Sequence, residues 1–170
     1  MSSFCIGIDL GGTNLRIASV TPLGQRLDTI SLGTRLADGP QAVLDDIAAS
    51  IRTLVEKRGG AEPLGIGIGS PGPLELPLGV LHHPPNLPGF DGLYLRTELE
   101  RRIHRPVQVN SDANLAAYGE FLLGAGKAFA VDSLCMLTLG TGVGCGIILD
   151  GRIWQGPQRP ACPARCGHRG

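Results

Sequence analysis

Glycine sets the shape this chain can take. It supplies 26 of the 170 residues, about double the 7% of ordinary proteins. There is no Gly-X-Y period, so a collagen triple helix is excluded. The glycines must serve turns and close backbone approach. Phe4 to Asp9 is a short apolar run, Leu-Gly-Gly-Thr-Asn follows, and Leu15 to Val20 is apolar again. That reads as strand, turn, strand. The figure returns later: Ile8-Asp-Leu-Gly-Gly-Thr-Asn-Leu15 is echoed by Leu137-Thr-Leu-Gly-Thr-Gly-Val-Gly144. Two copies of one phosphate-gripping turn are what a duplicated domain would leave.

The rest of the chain follows the same reading. Leu23-Gly24 makes a second turn and Arg26 to Leu32 a third strand. Pro40 opens a helix, where its missing N–H costs nothing. Val43, Ile47, Ile51 and Val55 recur every four residues and mark its buried face. Gly59-Gly60 stops it. Leu64 to Ser70 alternates Gly with Ile, which suits a strand closely approached on one face. Pro71 to Gly92 is rich in proline, has no periodicity, and is too long for a connection without a purpose. Leu93 to Ile103 is a charged helix and Val107 to Val109 a short strand. Ser111 to Leu123 is a helix with Leu115, Tyr118 and Leu122 on its buried side. A hairpin across Gly140 to Gly144 ends near Asp150-Gly151. Strands that first meander and then alternate with helices predict an α/β fold with a mixed sheet.

Charge and cysteine narrow the class. Fifteen Lys plus Arg balance fifteen Asp plus Glu, so the footprint of a nucleic-acid or anionic-membrane binder is missing. A hydrophobic fraction of 42% supports a core and is too high for a disordered chain. Ser133 to Leu149 is uncharged, but glycines at 140, 142, 144 and 146 argue for two strands and against a spanning helix. Cys5, Cys135 and Cys145 sit in apolar runs, where a free cysteine acts as a small hydrophobe. The start reaches Asp9 with no secretory pattern, so a cytoplasmic setting is expected.

Several positions suit chemistry. Gly11 and Gly12 let amides face a concavity that fits phosphate oxygens, and Thr13 adds a hydroxyl. Asp9 would repel phosphate directly, so its use would be to hold a hydrated Mg²⁺. The plain alternative is a hairpin turn with a solvated Asp. Gly140-Thr141-Gly142 resembles a dinucleotide fingerprint in spelling, but strand-like residues follow it where that loop requires a helix. Gly67 to Gly72 fails for the same reason. Asp112, in Asn110-Ser111-Asp112-Ala-Asn114, begins a helix. Ser and Asp are ordinary capping residues there; the same place also keeps a carboxylate ionised, as a general base requires. Asn86, in Pro84-Pro-Asn-Leu-Pro-Gly89, is either part of a rigid connector or an amide presented to a polar ligand. His82 and His83 are adjacent and point apart in an extended chain. Cys162, Cys166 and His168 have none of the usual zinc spacings, so no zinc is expected.

In order, these pieces resemble the ROK family of bacterial sugar kinases, its glucokinases in particular. GIDLGGTNLR looks like the family's opening phosphate motif. GIGSPGPLE with PPNLPGFDG looks like its sugar-domain loop, NSDANLAAYGE like its catalytic segment, and LTLGTGVGCGIILDGRIWQG like its second phosphate motif. The resemblance runs from about Cys5 to Pro157. It implies an actin-like, RNase H-like α/β fold and transfer of the ATP γ-phosphoryl group to a hexose, most simply glucose to glucose 6-phosphate. It implies Asp112 as the base, with Asn86, Ser111 and Asp112 at the sugar. It implies Gly11, Gly12, Thr13, Gly140, Thr141 and Gly142 at the ATP phosphates, and Asp9 at Mg²⁺. Longer relatives are expected to be homo-oligomers, with neither nucleic acid nor membrane as partner.

Two departures stand out. Ser111 replaces the Asn that the family usually has before its catalytic Asp, which would lose or shorten a sugar hydrogen bond. After Trp154 to Pro157 the family continues with a Glu-x-Gly-His motif, a cysteine-rich zinc site and the rest of a second domain. This chain instead reads QRPACPARCGHRG from Gln158 to Gly170, as a GC-rich gene does out of frame. The expected organisation is a first domain over 1–130, the opening of a second over 131–157, and an aberrant, frameshifted tail over 158–170. A chain truncated in this way is expected to be inactive alone. The other readings are a non-catalytic sugar-binding fragment and the body of a ROK regulator, though Phe4 already begins a strand where a regulator's helix-turn-helix would come first.

Overall fold

The computed structural model describes residues 3–140 and 142–156. Thr141 and residues 157–170, with Cys162, Cys166 and His168, lie outside the described residues. The fold is built on a five-stranded mixed sheet. Its strands are β1 (Cys5–Leu10), β2 (Asn14–Val20), β3 (Arg26–Gly33), β4 (Ile66–Ser70) and, after a small hairpin of β5 (Leu74–Glu75) and β6 (Val80–Leu81), β7 (Val107–Ser111). The order is β3-β2-β1-β4-β7. The first three strands meander antiparallel; β4 and β7 then add parallel to β1. Parallel neighbours need long crossovers. Helix α1 (Gly39–Lys57) supplies the first, and α2 (Leu95–Ile103) lies in the second.

Alternation decides which face is buried. Ile6, Ile8 and Leu10 of β1, Leu15 and Ile17 of β2, and Ile66 and Ile68 of β4 point one way. They form a single core with Val43, Leu44, Ile47, Ile51 and Leu54 of α1 and Leu95 and Leu99 of α2. Arg102 fastens the two helices, reaching from α2 to Asp45 on α1 at 2.8 Å and to Glu98 on its own helix at 2.6 Å. Burial opposes the Arg102 charge, but those carboxylates more than offset it and hold its pKa up. The hydrogen bonds from Arg102 and Arg101 hold the Glu98 carboxyl below its ordinary range.

The long proline-rich segment has an order that its sequence does not announce. Beyond the β5–β6 hairpin, Leu81, Leu87 and Phe90 are each fully buried and pin it to the core. His82 and His83 do point apart: His82 meets Glu75 at 2.8 Å and His83 meets Asp91 at 3.0 Å.

Helix α3 (Asp112–Leu123) follows β7, with the short α4 (Ala125–Ala128) after it. A separate three-stranded sheet comes next: β8 (Leu134–Leu139), β9 (Val143–Leu149) and β10 (Arg152–Ile153), in the order β10-β9-β8. Here the expected buried face of α3 is corrected. Ala113 and Ala117 are buried, while Leu122 is exposed. The cause is β9. A Cβ at Gly146 would lie 2.4 Å from the Ala113 carbonyl oxygen and 2.6 Å from Ala117 Cβ, and one at Gly144 would lie 3.2 Å from Ala113 Cβ. Glycine against alanine brings helix and strand closer than any leucine would permit. A second correction concerns cysteine: Cys135 and Cys145 are exposed, because they stand on the face of β8 and β9 turned away from α3. Leu137, Leu139 and Val143 share that face.

Gly146→Val tests the close approach. Its branched side chain has no space against Ala113 and Ala117, so the chain should lose about 1–3 kcal/mol of stability, as overpacked sites do. Urea unfolding monitored by circular dichroism measures it. Gly33→Ala, where a Cβ meets nothing within 4 Å, is the matched control and should change little.

Candidate active site

The carboxyl ends of β1, β4 and β7 lie side by side, since these strands are parallel neighbours. Ligands of open α/β sheets bind in the crevice outside such ends. β1 runs out into Gly11 and Gly12, β4 into Pro71 and Gly72, and β7 into Ser111 and Asp112. Fold topology thus gathers three of the segments that chemistry singles out.

Asp112 holds the first position of α3. Ser111 is the N-cap, extended at φ −69° and ψ 147°, and its hydroxyl accepts the Asn114 N–H at 3.2 Å. Ser111 is thus the capping residue, and Asp112 beside it is exposed at the mouth of the crevice. Its Oδ1 accepts the Ala113 N–H at 2.7 Å. Gly69 lets this helix start come close, since a Cβ there would sit 3.3 Å from Asp112 Cα. The close approach expected along the Gly–Ile run is found at Gly69 alone; a Cβ at Gly65 would meet nothing within 4 Å and one at Gly67 only the Gln108 carbonyl oxygen at 4.0 Å.

Asn86, Asp112, Gly140 and Gly142 line one cavity of about 360 Å³, together with Thr138. A neighbouring cavity of about 340 Å³ is lined by Asp9, Gly69, Asp112 and Thr138. Asp112 and Thr138 border both. Ser111 instead faces a third hollow with Asn114 and Gln155, so the structure does not place it beside Asn86.

In each glycine turn the first glycine N–H closes the turn, over three residues in the first and two in the second. The Gly11 N–H donates to the Asn14 carbonyl at 2.9 Å, and the Gly140 N–H to the Gly142 carbonyl at 3.0 Å. Those two amides serve the turns. Among the described residues, the N–H groups of Gly12 and Thr13 have no backbone acceptor. Thr34 buttresses the first turn: its hydroxyl donates to the Gly11 carbonyl at 2.7 Å, and its N–H to the Thr13 carbonyl at 2.9 Å. The need for glycine at position 12 comes from inside the protein. A Cβ there would lie 2.5 Å from the Asn86 carbonyl oxygen, so the phosphate-type turn and the Asn86 loop lie against each other. At Gly142 a Cβ would meet nothing within 4 Å.

Sequence reading missed Arg16. It stands directly opposite Asp9 in the β1–β2 register, and its guanidinium is 3.3 Å from the Asp9 carboxylate. Both side chains are more than half exposed, so the pair is worth at most about 1 kcal/mol and yields readily to a stronger partner. Asp9 lies near the end of β1 with its exposed carboxylate held by that weak pair, an oxygen donor of the kind Mg²⁺ takes while retaining several of its waters. The register of a seven-residue strand–turn–strand was the available signal. Thr138 gave none beyond its place before Gly140. Asn110 was also missed; its Oδ1 accepts the Ser111 N–H at 2.8 Å and the Asn114 amide at 3.1 Å, which braces the start of α3.

Sheet order, the helix after β7 and the two glycine turns define an α/β, actin-like (RNase H-like) fold. The ROK family model matches residues 5–168, and the chain belongs to that family. It is 35% identical over 153 residues to the glucokinase of Halalkalibacterium halodurans, covering 89% of this chain and 46% of that protein. It is 34% identical over 179 residues to the glucokinase of Thermotoga maritima, covering 97% and 54%. The solved ROK glucokinase of Streptomyces griseus, in complex with glucose and AMPPNP, superposes with a TM-score of 0.81 at 32% identity, covering 91% of this chain and 47% of that one. A ROK transcriptional regulator, a homologue of the E. coli MLC protein, gives 0.78 at 25%, covering 92% and 39%. The chain spans about half the length of the curated relatives it matches. Among the described residues no helix is long and apolar enough to cross a membrane.

Ser111→Ala separates capping from any other role. Loss of an N-cap hydroxyl costs about 1 kcal/mol, which thermal unfolding should show. Ser111→Asp, another good cap, should restore most of it.

Proposed function

We propose that this chain carries the hexose- and phosphate-holding part of an ATP-dependent sugar kinase, with glucose phosphorylated on its 6-hydroxyl. One observation supports this most: Asn86, Asp112, Gly140 and Gly142, from three distant stretches, line one cavity, and Asp112 also borders the cavity of Asp9. The glucokinases among the relatives favour glucose. The nucleotide analogue in the Streptomyces griseus structure favours ATP.

In this reading Asn86 and Asp112 hold the sugar, with Ser111 contributing through the start of α3. The Asp112 carboxylate accepts the proton of the 6-hydroxyl as that oxygen attacks the γ-phosphorus. The bond to the β,γ-bridging oxygen breaks, and ADP leaves. Gly12 and Thr13 offer amides to the phosphate oxygens, and Gly11 shapes their turn. The segment Gly140, Thr141 and Gly142 is assigned to the ATP phosphates as well, with Gly140 shaping its turn. Such chemistry is chiefly positioning and charge stabilisation. Asp9, released from Arg16, would hold hydrated Mg²⁺, which when bound neutralises phosphate charge. The first domain spans 1–130 and a second opens over 131–157. The setting is cytoplasmic, with no nucleic-acid or membrane partner, no zinc in this chain, and homo-oligomers among longer relatives.

A second reading, a non-catalytic sugar-binding body, has one observation in its favour: the likeness to a ROK regulator. Both readings predict glucose binding by calorimetry, weakened by Asn86→Ala. They part on turnover.

The 170-residue chain alone should turn over far below the ordinary ~1–10³ s⁻¹ in a coupled assay for glucose 6-phosphate. Closing a water-free cleft around both substrates supplies a large part of catalysis, and the relatives that do so are about twice as long. A chimera continuing this chain with the remaining half of the Thermotoga maritima enzyme should be active. In it, Asp112→Asn should lower kcat about 10²–10⁴-fold and leave the glucose Kd within several-fold. A drop of less than tenfold would leave Asp112 as a helix-start residue only.

A further inference from the structure

The kinase reading makes no use of Cys135 and Cys145, although the fold brings them together. Cys135 is paired with Ile147 and Cys145 with Leu137. The two cysteines are therefore diagonal neighbours on one face of the β8–β9 hairpin. Their sulfurs are 3.8 Å apart, and both residues are exposed. A disulfide has S–S near 2.05 Å, so about 1.8 Å remains to be closed. Diagonal neighbours stand about 7–8 Å apart, so closing the bridge takes rotation of both side chains and a small shift of the hairpin backbone. No charged residue occurs from Ser133 to Leu149, so no ion pair on the hairpin itself restrains either side chain.

We propose that Cys135 and Cys145 form a dithiol site that a peroxide oxidises to an intramolecular disulfide. In the first step a thiolate attacks a peroxide oxygen. An S–O bond forms, the O–O bond breaks, and the departing hydroxide takes up the proton that the thiol released, leaving as water. The product is a sulfenic acid. The second sulfur then attacks the sulfenyl sulfur. The S–S bond forms, the S–O bond breaks, and hydroxide leaves with the second thiol's proton as another water. Two thiols are oxidised by two electrons, and one peroxide is reduced to two waters. Cys145 keeps its proton to higher pH than an ordinary cysteine, because of its hydrogen bond with Cys135 and then some burial. A dithiol reductant reverses the reaction by exchange.

The disulfide would close a small ring around Gly140 and Gly142. A consequence for ATP rests on the phosphate role proposed for that turn; the disulfide itself does not.

The test uses the whole chain. Trypsin cuts after Lys127 and Arg152, and a single peptide, 128–152, then contains both cysteines. The chain is treated with hydrogen peroxide, blocked with N-ethylmaleimide, digested and weighed. The peptide should be lighter by two hydrogens and carry no maleimide, and prior dithiothreitol should restore two maleimides. In Cys145→Ser the hydrogens should stay, and dimedone should trap a sulfenic acid on Cys135. A peptide that keeps both thiols under peroxide, ends as sulfinic acid, or cross-links to a second chain overturns the proposal. ATP calorimetry on the oxidised chain separates the two ideas. A disulfide that forms and leaves ATP affinity unchanged upholds the dithiol site and counts against the phosphate role of the turn.

Discussion

The contact of α3 with β9 is the constraint on which the site depends. Ala113 and Ala117 meet Gly144 and Gly146 at distances that leave no volume for another side chain. Dispersion attraction falls steeply with separation, so this backbone-to-backbone packing holds the second sheet tightly against the helix. The same helix is held from its other side by β4, through Gly69 at Asp112. Asp112 is thus clamped at the junction of two sheets. That junction is why one carboxylate borders two cavities, one containing Asn86 and the other Asp9.

Hydrogen bonding then distributes roles within the turns. Every buried or half-buried amide must find an acceptor. In each glycine turn, one N–H is used to close the turn, at Gly11 and at Gly140. Thr34 completes the first turn by accounting for the Gly11 and Thr13 carbonyls. The amides of Gly12 and Thr13 have no backbone acceptor among the described residues. At α3 the division is similar. Ser111 satisfies the helix start, which relieves Asp112 of that duty. Capping thus falls to Ser111, while the neighbouring Asp112 borders the two cavities.

Much of the architecture was legible because its signals are local. The α1 period at Val43, Ile47 and Ile51, the Gly-Gly-Thr turn and the β8–β9 hairpin each follow from spacing within a few residues, and all appear in the structure. The misreadings share one physical cause. The buried face of α3 was assigned to Leu115, Tyr118 and Leu122 because large apolar residues usually mark a core. It is instead the alanine face, because its partner strand consists of glycine at the contact. Cys135 and Cys145 were read as buried hydrophobes because their strands are apolar. Only the direction of the second sheet's free face shows them to be exposed.

The sequence by itself determined the elements, the two glycine turns, the family and the short set of residues able to do chemistry. These depend on backbone preference and on side-chain type, both properties of neighbouring residues. Tertiary structure alone decided which of those residues meet. Asn86 and Asp112 are 26 positions apart in the chain, and Asp9 and Arg16 become partners through strand register. Gly12 proves necessary because the Asn86 carbonyl lies behind it. Such contacts depend on crossovers and sheet order, which place residues distant in sequence within one Cβ radius of each other, and no local pattern records that distance.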